Sequence, residues 1–363
     1  MTTYLPEDSE IDVPSLSKVF DDKTNSYKLY WFLAILDSIQ KNNDPRIDMR
    51  ELSMRMIAKV WYPLDYFKLS FGTQDKFKEN AKSIYKTLNI TSETEALKIL
   101  DGADNEWVES VSSYIDKTLR YVPYRFVRPF FKVETSGMID GQVNDRIVEL
   151  AKLNRQSPYY FDGRYIVIRN TWYSYLQKYQ YILRSFTKWH LVQYLQKNNP
   201  NVPAISEKLE RPVNRNFNAA KPFWKTYLEH HPEMKCIYSG QPITRDNISL
   251  DHYLPFSYVA HDQIWNLIPT TKSVNSAKSD LLPDTNLYFD KFAQLQYDAF
   301  RFHAESGQAK KLEDYSLLFR ESTATIQESS SEWFRERLSQ AVLPQLQTAK
   351  NMGFSSPFVY RPS

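Results

Sequence analysis

An acidic residue, a histidine, two asparagines and a lysine are spaced through one segment in the second half of the chain. Asp251 and His252 are adjacent, Asn266 follows the histidine by 14 residues, Asn275 by nine more and Lys278 by a further three. Histidine can take a proton near neutral pH, and carboxylate and amide oxygens are ligands that hard divalent cations accept. Hydrolysis of a phosphodiester needs such a base together with a cation, because water must be activated and the phosphate charge offset.

The surrounding residues predict a small unit that brings these side chains together. Residues 248–254 alternate and favour a strand, residues 265–268 favour a second strand, and Thr271 can cap a helix that runs to about residue 280. Asn275 and Lys278 are three residues apart, so they share one face of that helix and can both face the first strand. The pattern therefore predicts strand, loop, strand and helix around one site.

At these positions the sequence resembles the HNH endonucleases, also called ββα-metal nucleases. Within them it is most similar to the HNH domain of RNA-guided CRISPR effector nucleases. The resemblance covers residues 236–283 and includes Pro255 and the closing Leu282 and Pro283. It does not extend to a guide-RNA function, because the chain is too short for the full RNA-guided machinery.

The resemblance implies a role for each site residue. His252 is the expected general base, while Asp251 and Asn275 hold one divalent ion, Mg²⁺ or Mn²⁺. Asn266 belongs to the catalytic set as the residue that braces the loop. Lys278 is expected either to contact phosphate or to cap the end of the helix against its dipole.

Many HNH proteins also carry pairs of cysteines that bind a structural zinc. Cys236 is the only cysteine in this chain. We therefore expect no structural zinc and expect the segment to be stabilised by packing instead. His261 lies in the loop between the two predicted strands, where a loop residue is the better interpretation than a ligand.

The function that the resemblance implies is metal-dependent hydrolysis of DNA, one strand per active site, in bacterial or phage defence. Two alternatives stay open. One is a nucleic-acid-binding protein with an inactive HNH fold, against which the intact ligand set argues. The other is an RNA-directed nuclease effector controlled by a protein partner that docks on residues 1–200.

Charge and hydropathy limit the remaining possibilities. The 363 residues carry a net charge of +3, which is too weak a field to establish nucleic-acid binding by itself. A basic arm of Lys208, Arg211 and Arg215 precedes the site and is a candidate contact for the DNA backbone. The first residues do not resemble a targeting signal and no apolar stretch approaches the length of a membrane span, so we expect a cytoplasmic protein without membrane contact.

The elements predicted along the chain indicate a mostly α protein with a small ββα-metal module, α+β overall. We divide it into a mainly helical domain (1–200), a basic linker (201–222), the nuclease module (223–305) and a C-terminal helical segment with a tail (306–363). The helical periods fall at residues 25–40, 49–66, 75–87, 92–100, 107–119, 172–196, 287–304 and 332–350. Asp162 and Gly163 predict a hairpin near residues 159–168, and two prolines favour extended chain over residues 120–133.

Overall fold

The computed structural model describes residues 5–21, 24–42, 44–92, 111–212, 215–355 and 357–361. The chain divides into two compact units, Met1–Pro200 and Asn201–Ser363. Among the described residues, helices dominate both units and each unit has one small antiparallel sheet. The predicted fold class, mostly α with some β, is confirmed.

The first unit is built mainly of short helices around one long buried helix. Its elements are α1 Val13–Ser17, α2 Tyr27–Lys41, β1 Arg46–Asp48, α3 Met49–Lys59, a π-helix Tyr62–Tyr66, α4 Phe77–Thr87, α5 Ser112–Leu119, α6 Val122–Val127, a 3₁₀ helix Arg128–Phe131, α7 Asp140–Leu153, β2 Tyr159–Asp162, β3 Tyr165–Ile168, α8 Asn170–Lys178 and α9 Gln180–Asn198. Helix α2 is buried on every side from Leu29 to Leu36, as expected for a helix that is apolar all round.

The predicted hairpin is confirmed. Strands β2 and β3 pair in antiparallel register, from Tyr159 opposite Ile168 to Asp162 opposite Tyr165. Gly163 has a φ of +60°, which the tight turn requires and which glycine adopts without steric cost. Strand β1 pairs with the other edge of β3, which completes a three-stranded sheet.

Two predictions for this unit are wrong in detail. Residues 120–133 are helical and not extended, because Pro123 and Pro129 both lie in the first turn of a helix, where the missing N–H has no partner to lose. The single helix predicted over residues 172–196 is two helices, α8 and α9, that meet at Tyr179. The helix predicted at 92–100 and the start of the one at 107–119 lie largely outside the described residues.

In the second unit, the one sheet among the described residues is surrounded by helices. Its elements are a 3₁₀ helix Ile205–Lys208, α10 Ala220–His230, β4 Ile248–His252, α11 Phe256–Val259, a 3₁₀ helix Ile264–Asn266, β5 Leu267–Thr271, α12 Lys272–Lys278, α13 Thr285–Glu305, a 3₁₀ helix Ala309–Leu312, α14 Glu313–Phe319, α15 Thr323–Glu328 and α16 Ser331–Met352.

One hydrophobic cluster runs through this whole unit. Helices α13 and α16 pack against each other, with the ring centroids of Phe300 and Phe334 5.8 Å apart. The same cluster contains Trp265 and Leu267 beside the sheet. The C-terminal helices after residue 306 therefore share a core with residues 223–305 instead of forming a separate layer. Within the described part of the chain, each helix is either too short or too polar to cross a bilayer.

Candidate functional site

The predicted site is built on strands β4 and β5 and on helix α12. The two strands pair in antiparallel register, with Ile248 opposite Thr271 and His252 opposite Leu267. The hydroxyl of Thr271 accepts a hydrogen bond from the backbone N–H of Val274 and so caps α12, as the sequence predicted. Because the helix follows β5 directly, it returns across the face of β4.

Asn266 braces the loop that follows β4. Its side-chain oxygen accepts from the backbone N–H of Leu254 (2.8 Å), and its side-chain nitrogen donates to the carbonyl of the same residue (2.9 Å). Its own backbone carbonyl accepts from Tyr253 (2.8 Å), and the side chain is fully buried. These bonds hold the chain directly after His252 in place without contact to a reacting group.

Asp251 lies on one side of β4, in a closed environment. Its side chain is 3% exposed, and the ammonium of Lys278 lies 3.2 Å from each carboxylate oxygen. The hydroxyl of Tyr238 donates to Oδ2 at 3.1 Å. Burial raises the pKa of Asp251, and the neighbouring charges of Lys278 and His252 oppose that shift.

Lys278 is therefore a structural cation in this arrangement. It is fully buried and also donates to the backbone carbonyl of His252 at 2.7 Å. The predicted phosphate contact of Lys278 is not available here, because its three N–H donors point into the protein. Sequence spacing placed it on the correct helix face but could not distinguish a contact with the carboxylate from a contact with substrate.

His252 is the last residue of β4, and its side chain contacts other partners than that of Asp251. Its Nε2 is 2.8 Å from Oδ1 of Asp262, and its ring lies 5.8 Å from that of Phe217 and 5.4 Å from that of Phe256, centroid to centroid. The side chains of His252 and Asp262 are 5% and 12% exposed. An acceptor on Nε2 selects the tautomer that carries its proton there and leaves the lone pair on Nδ1.

Asp262 is the site residue that the sequence did not identify. Helix α11 ends at Ala260 in the left-handed conformation (φ 57°), and the chain then turns so that Asp262 meets His252. Burial acts to raise the pKa of Asp262, but hydrogen bonds from His252 and from the backbone N–H of Asn216 outweigh it, so the pKa is lowered overall. Asp262 is thus an anion beside the histidine. No spacing rule links a carboxylate to a histidine ten residues away.

His261, next to Asp262, is partly buried. Burial, followed by the proximity of His252, lowers the pKa of His261 to about 4. His261 is therefore neutral at pH 7, and its ring packs near Trp265 (5.5 Å between centroids). These contacts fit the prediction of a loop residue.

The basic arm divides into one buried and two exposed residues. Lys208 is fully buried, and its ammonium donates to the backbone carbonyls of Pro203 and Tyr258. Because these bonds point the ammonium into the protein, the predicted contact of Lys208 with DNA is not available in this structure. Burial also lowers the pKa of Lys208 to about 7. Arg211 and Arg215 are exposed, and Arg215 lies over the Phe256 ring, 5.1 Å from its centroid, close to His252.

The helix side offers two side-chain oxygens to a hard divalent cation, but those of the Asp251 carboxylate already bond to Lys278 and Tyr238. Asn275 donates through its side-chain nitrogen to Ser249 Oγ (2.8 Å) and to the carbonyl of Leu250 (3.1 Å), which leaves the amide oxygen as the group able to bind a ligand. Together with the Asp251 carboxylate this makes two protein oxygens. In the described residues no group of three or more His, Cys, Asp or Glu could hold an ion. Two oxygens still suit Mg²⁺, which keeps several waters and takes substrate phosphates as ligands.

Cys236 is buried, and its sulfur lies 3.0 Å from the hydroxyl of Thr270 on β5. Tyr238 packs edge-on against Tyr288 and Phe358, with centroids 5.0 and 5.5 Å away. The start of the segment is thus anchored in the hydrophobic cluster of the second unit.

A comparison with known protein families identifies the same segment. Residues 236–284 match the family model described as HNH endonuclease. No curated protein and no solved structure matches the chain. The closer resemblance to the HNH domain of CRISPR effector nucleases stays a prediction. Residues 236–284, within the second unit, are therefore similar to the HNH endonucleases.

Proposed function

We propose that this domain hydrolyses phosphodiester bonds of DNA, one strand per active site, with His252 as the general base. The observation that carries the proposal is the 2.8 Å contact between His252 Nε2 and Asp262 Oδ1 inside a segment matched to the HNH endonucleases. A histidine oriented by a carboxylate is the usual arrangement for a general base, because the acceptor fixes both the ring and its tautomer.

The chemical step follows from that tautomer. Nε2 keeps its proton and donates it in a hydrogen bond to Asp262, so Nδ1 takes a proton from the attacking water. The water oxygen forms a bond to phosphorus, and the bond from phosphorus to O3′ breaks. The positive charge that develops on the imidazole is stabilised by the Asp262 carboxylate.

HNH nucleases generally use divalent metal ions. In this chain we assign the Asp251 carboxylate and the Asn275 amide oxygen as the groups that hold one ion, Mg²⁺ or Mn²⁺. When bound, such an ion offsets negative charge on the phosphate and on the leaving oxygen. Lys278 already neutralises Asp251, so this lysine must share the carboxylate with the ion or release it.

The exposed arginines of the basic arm are proposed to contact the phosphate backbone. Arg215 lies beside Phe256, whose ring packs against His252, so its guanidinium is next to the reacting group. Arg211 lies four residues earlier and is also exposed. A planar guanidinium suits phosphate oxygens because it can donate two parallel hydrogen bonds.

The proposal is tested by incubating supercoiled plasmid, linear duplex DNA and RNA with the protein and Mg²⁺. We expect nicking of the plasmid by the parent and a loss of about 10²–10⁴-fold in rate for His252→Ala, the usual size of a general-base effect. His261→Ala is the matched control, because that histidine lies nearby in the loop before Asp262 and has no assigned role. Equal cleavage by the parent and by His252→Ala would refute the mechanism.

A second candidate is a nucleic-acid-binding protein with an inactive HNH fold. It is favoured by the burial of Asp251 and His252, which are 3% and 5% exposed, and by the existing bonds of the Asp251 carboxylate. DNA binding without cleavage at any Mg²⁺ or Mn²⁺ concentration would select it. Cleavage of RNA alone would select an RNA-directed nuclease.

The biological setting that we propose is defence against foreign DNA in a bacterial or phage-borne system, in the cytoplasm. A protein partner that docks on residues 1–200 and controls the nuclease belongs to the same proposal. Both rest on the resemblance to HNH nucleases and not on a contact in the structure.

A further inference from the structure

A large cavity lies wholly within the first unit. Its volume is about 920 Å³, at the upper end of the range for pockets that bind small molecules. The walls come from segments far apart in sequence: the residues after α1, the start of α2, the start of α4, and the run from α5 through the 3₁₀ helix at Arg128–Phe131. The fold, and not a single motif, therefore creates this cavity.

The described lining is strongly cationic. Lysine and arginine side chains reach it from every one of these segments. They are Lys18, Lys28, Lys76, Lys117, Arg125, Arg128 and Lys132. Asp21 is the one acidic residue among the described residues of the wall. Lys76 also pairs with Glu79 (3.1 Å), and the ammonium of Lys28 donates to the carbonyl of Val19 (2.7 Å). Lys18, Lys117 and Lys132 are exposed and are the cations that a polyanion in the cavity would meet first.

The rest of the wall is suited to hydrogen bonding and stacking. Asn25, Asn80 and Thr118 line the cavity with amide and hydroxyl groups. Tyr121 is 37% exposed, and the guanidinium of Arg125 lies over its ring at 4.6 Å from the centroid. Cations next to an aromatic ring are the combination with which proteins bind phosphates and bases together.

We propose that this cavity binds a nucleotide ligand that carries several phosphates. Several cations around one cavity match a ligand with multiple negative charges better than a phosphopeptide, which presents a single phosphate at each modified residue. The cavity is half open to solvent, and its volume suits a small molecule or the end of a single strand better than the side of a duplex. Both sources share the chemistry of a base joined to phosphates. The site lies outside the HNH domain, so it stands independently of the nuclease mechanism.

The test uses the full chain carrying His252→Ala, so that an oligonucleotide probe stays intact. Isothermal titration compares ATP, a five-nucleotide oligothymidylate, adenosine and inorganic phosphate as probes. Lys117→Glu/Lys132→Glu reverses two exposed charges in the cavity. Lys152→Glu/Lys197→Glu is the matched control, because these lysines are exposed in the same unit but do not line the cavity.

We expect ATP, the oligothymidylate or both to bind, and adenosine to bind far more weakly. The cavity double variant is expected to lose at least about tenfold in affinity, since each charge-assisted hydrogen bond to phosphate is worth about 1.5–3 kcal/mol. The control variant keeps the parental affinity. If ATP binds and the oligothymidylate does not, the ligand is a free nucleotide. If only the oligothymidylate binds, the ligand is the end of a single strand.

Three results would overturn the proposal: no binding of either phosphorylated probe, equal losses in the two double variants, or equal affinity for adenosine and ATP. Circular dichroism and thermal unfolding verify that each variant is folded. Should the charge reversal unfold the unit, Lys117→Gln/Lys132→Gln gives the same test with a smaller perturbation, and an unchanged affinity in that variant also refutes the site.

Discussion

Asp251 and His252 are adjacent in strand β4 but lie in different electrostatic environments. On the side of Asp251, burial is accompanied by an opposite charge, because Lys278 contacts both carboxylate oxygens. Near His252, Lys208 is buried against backbone carbonyls and His261 is buried in the loop, so burial lowers their pKa values to about 7 and about 4. Asp251 is thus held by a buried cation, whereas His252 meets one carboxylate, Asp262, among bases whose pKa is lowered by burial.

This difference explains why the two sides suit different tasks. A fully buried ion pair exchanges one partner for another only at a cost in stability, so a cation that binds Asp251 must replace or share the contact with Lys278. The His252 ring is oriented by one carboxylate, Asp262, whose charge would stabilise an imidazolium. In this structure the Asp251–Lys278 pair fixes the backbone of β4, because Lys278 also bonds to the carbonyl of His252. In our proposal His252 provides the reactive nitrogen.

The largest expected effect is on the ion-paired side. Lys278→Met keeps a long side chain but leaves the Asp251 carboxylate buried with only Tyr238 as its partner. We expect a loss of about 3–5 kcal/mol in the free energy of unfolding, measured by urea titration. Lys272→Met, at the exposed start of the same helix, should change stability by less than about 0.5 kcal/mol.

Adding Asp251→Asn to Lys278→Met removes the unpaired charge and is expected to recover part of the loss. Mg²⁺ should also raise the unfolding temperature of Lys278→Met more than that of the parent, if the ion binds Asp251. Equal stability of Lys278→Met and Lys272→Met would mean that the pair contributes nothing and that the two sides of β4 do not differ in this way.

The next effect concerns the reactive side. Asp262→Asn keeps the shape of the residue but removes the charge that orients His252 and allows the wrong tautomer. We expect kcat for plasmid nicking to fall about 10–100-fold with little change in KM, because the residue acts through the histidine and not on substrate.

Asp246→Asn provides the control for that variant, since Asp246 is an exposed carboxylate of the same unit. Thermal unfolding of both variants is measured in parallel. If Asp262→Asn lost activity only because it unfolds, or if only its KM changed, the proposed role of Asp262 in positioning His252 would be wrong.

The smallest effect is the pH dependence contributed by Lys208. Its pKa of about 7 lies below the ordinary lysine value of 10.5, so between these pH values the unfolded chain binds a proton that the folded chain has released. The free energy of unfolding contributed by this group therefore rises with pH across that window, and the cost of burying the charge is fully present below about pH 7.

Lys208→Met lacks this contribution. Relative to the variant, the parent should gain stability between about pH 7 and about pH 10, as measured by urea unfolding at several pH values. The difference between the parent and Lys272→Met should stay constant over the same range, because that lysine is exposed. A parent-to-Lys208→Met difference that is also constant would show that Lys208 stays charged when buried.

Much of the nuclease domain was predictable because its contacts are local in sequence. The offsets from Asp251 to Lys278 encode a strand, a strand and a capped helix, and backbone periodicity alone brings Asn275 and Lys278 to one face. The brace formed by Asn266 and the loop position of His261 follow from the same short stretch. The hairpin at residues 159–168 was predictable for the same reason.

Tertiary structure alone decided which partner each charged group meets. Lys208 is buried because the carbonyl of Tyr258, fifty residues away, reaches its ammonium, and Asp262 pairs with His252 because the chain turns at Ala260. The cationic cavity of the first unit likewise gathers side chains from residues 18 to 132. The spacing of residues in the sequence shows the periodicity of one helix or strand. Burial and ion pairing depend on distant segments that pack against that element. Burial and ion pairing in turn set the protonation states of the site residues.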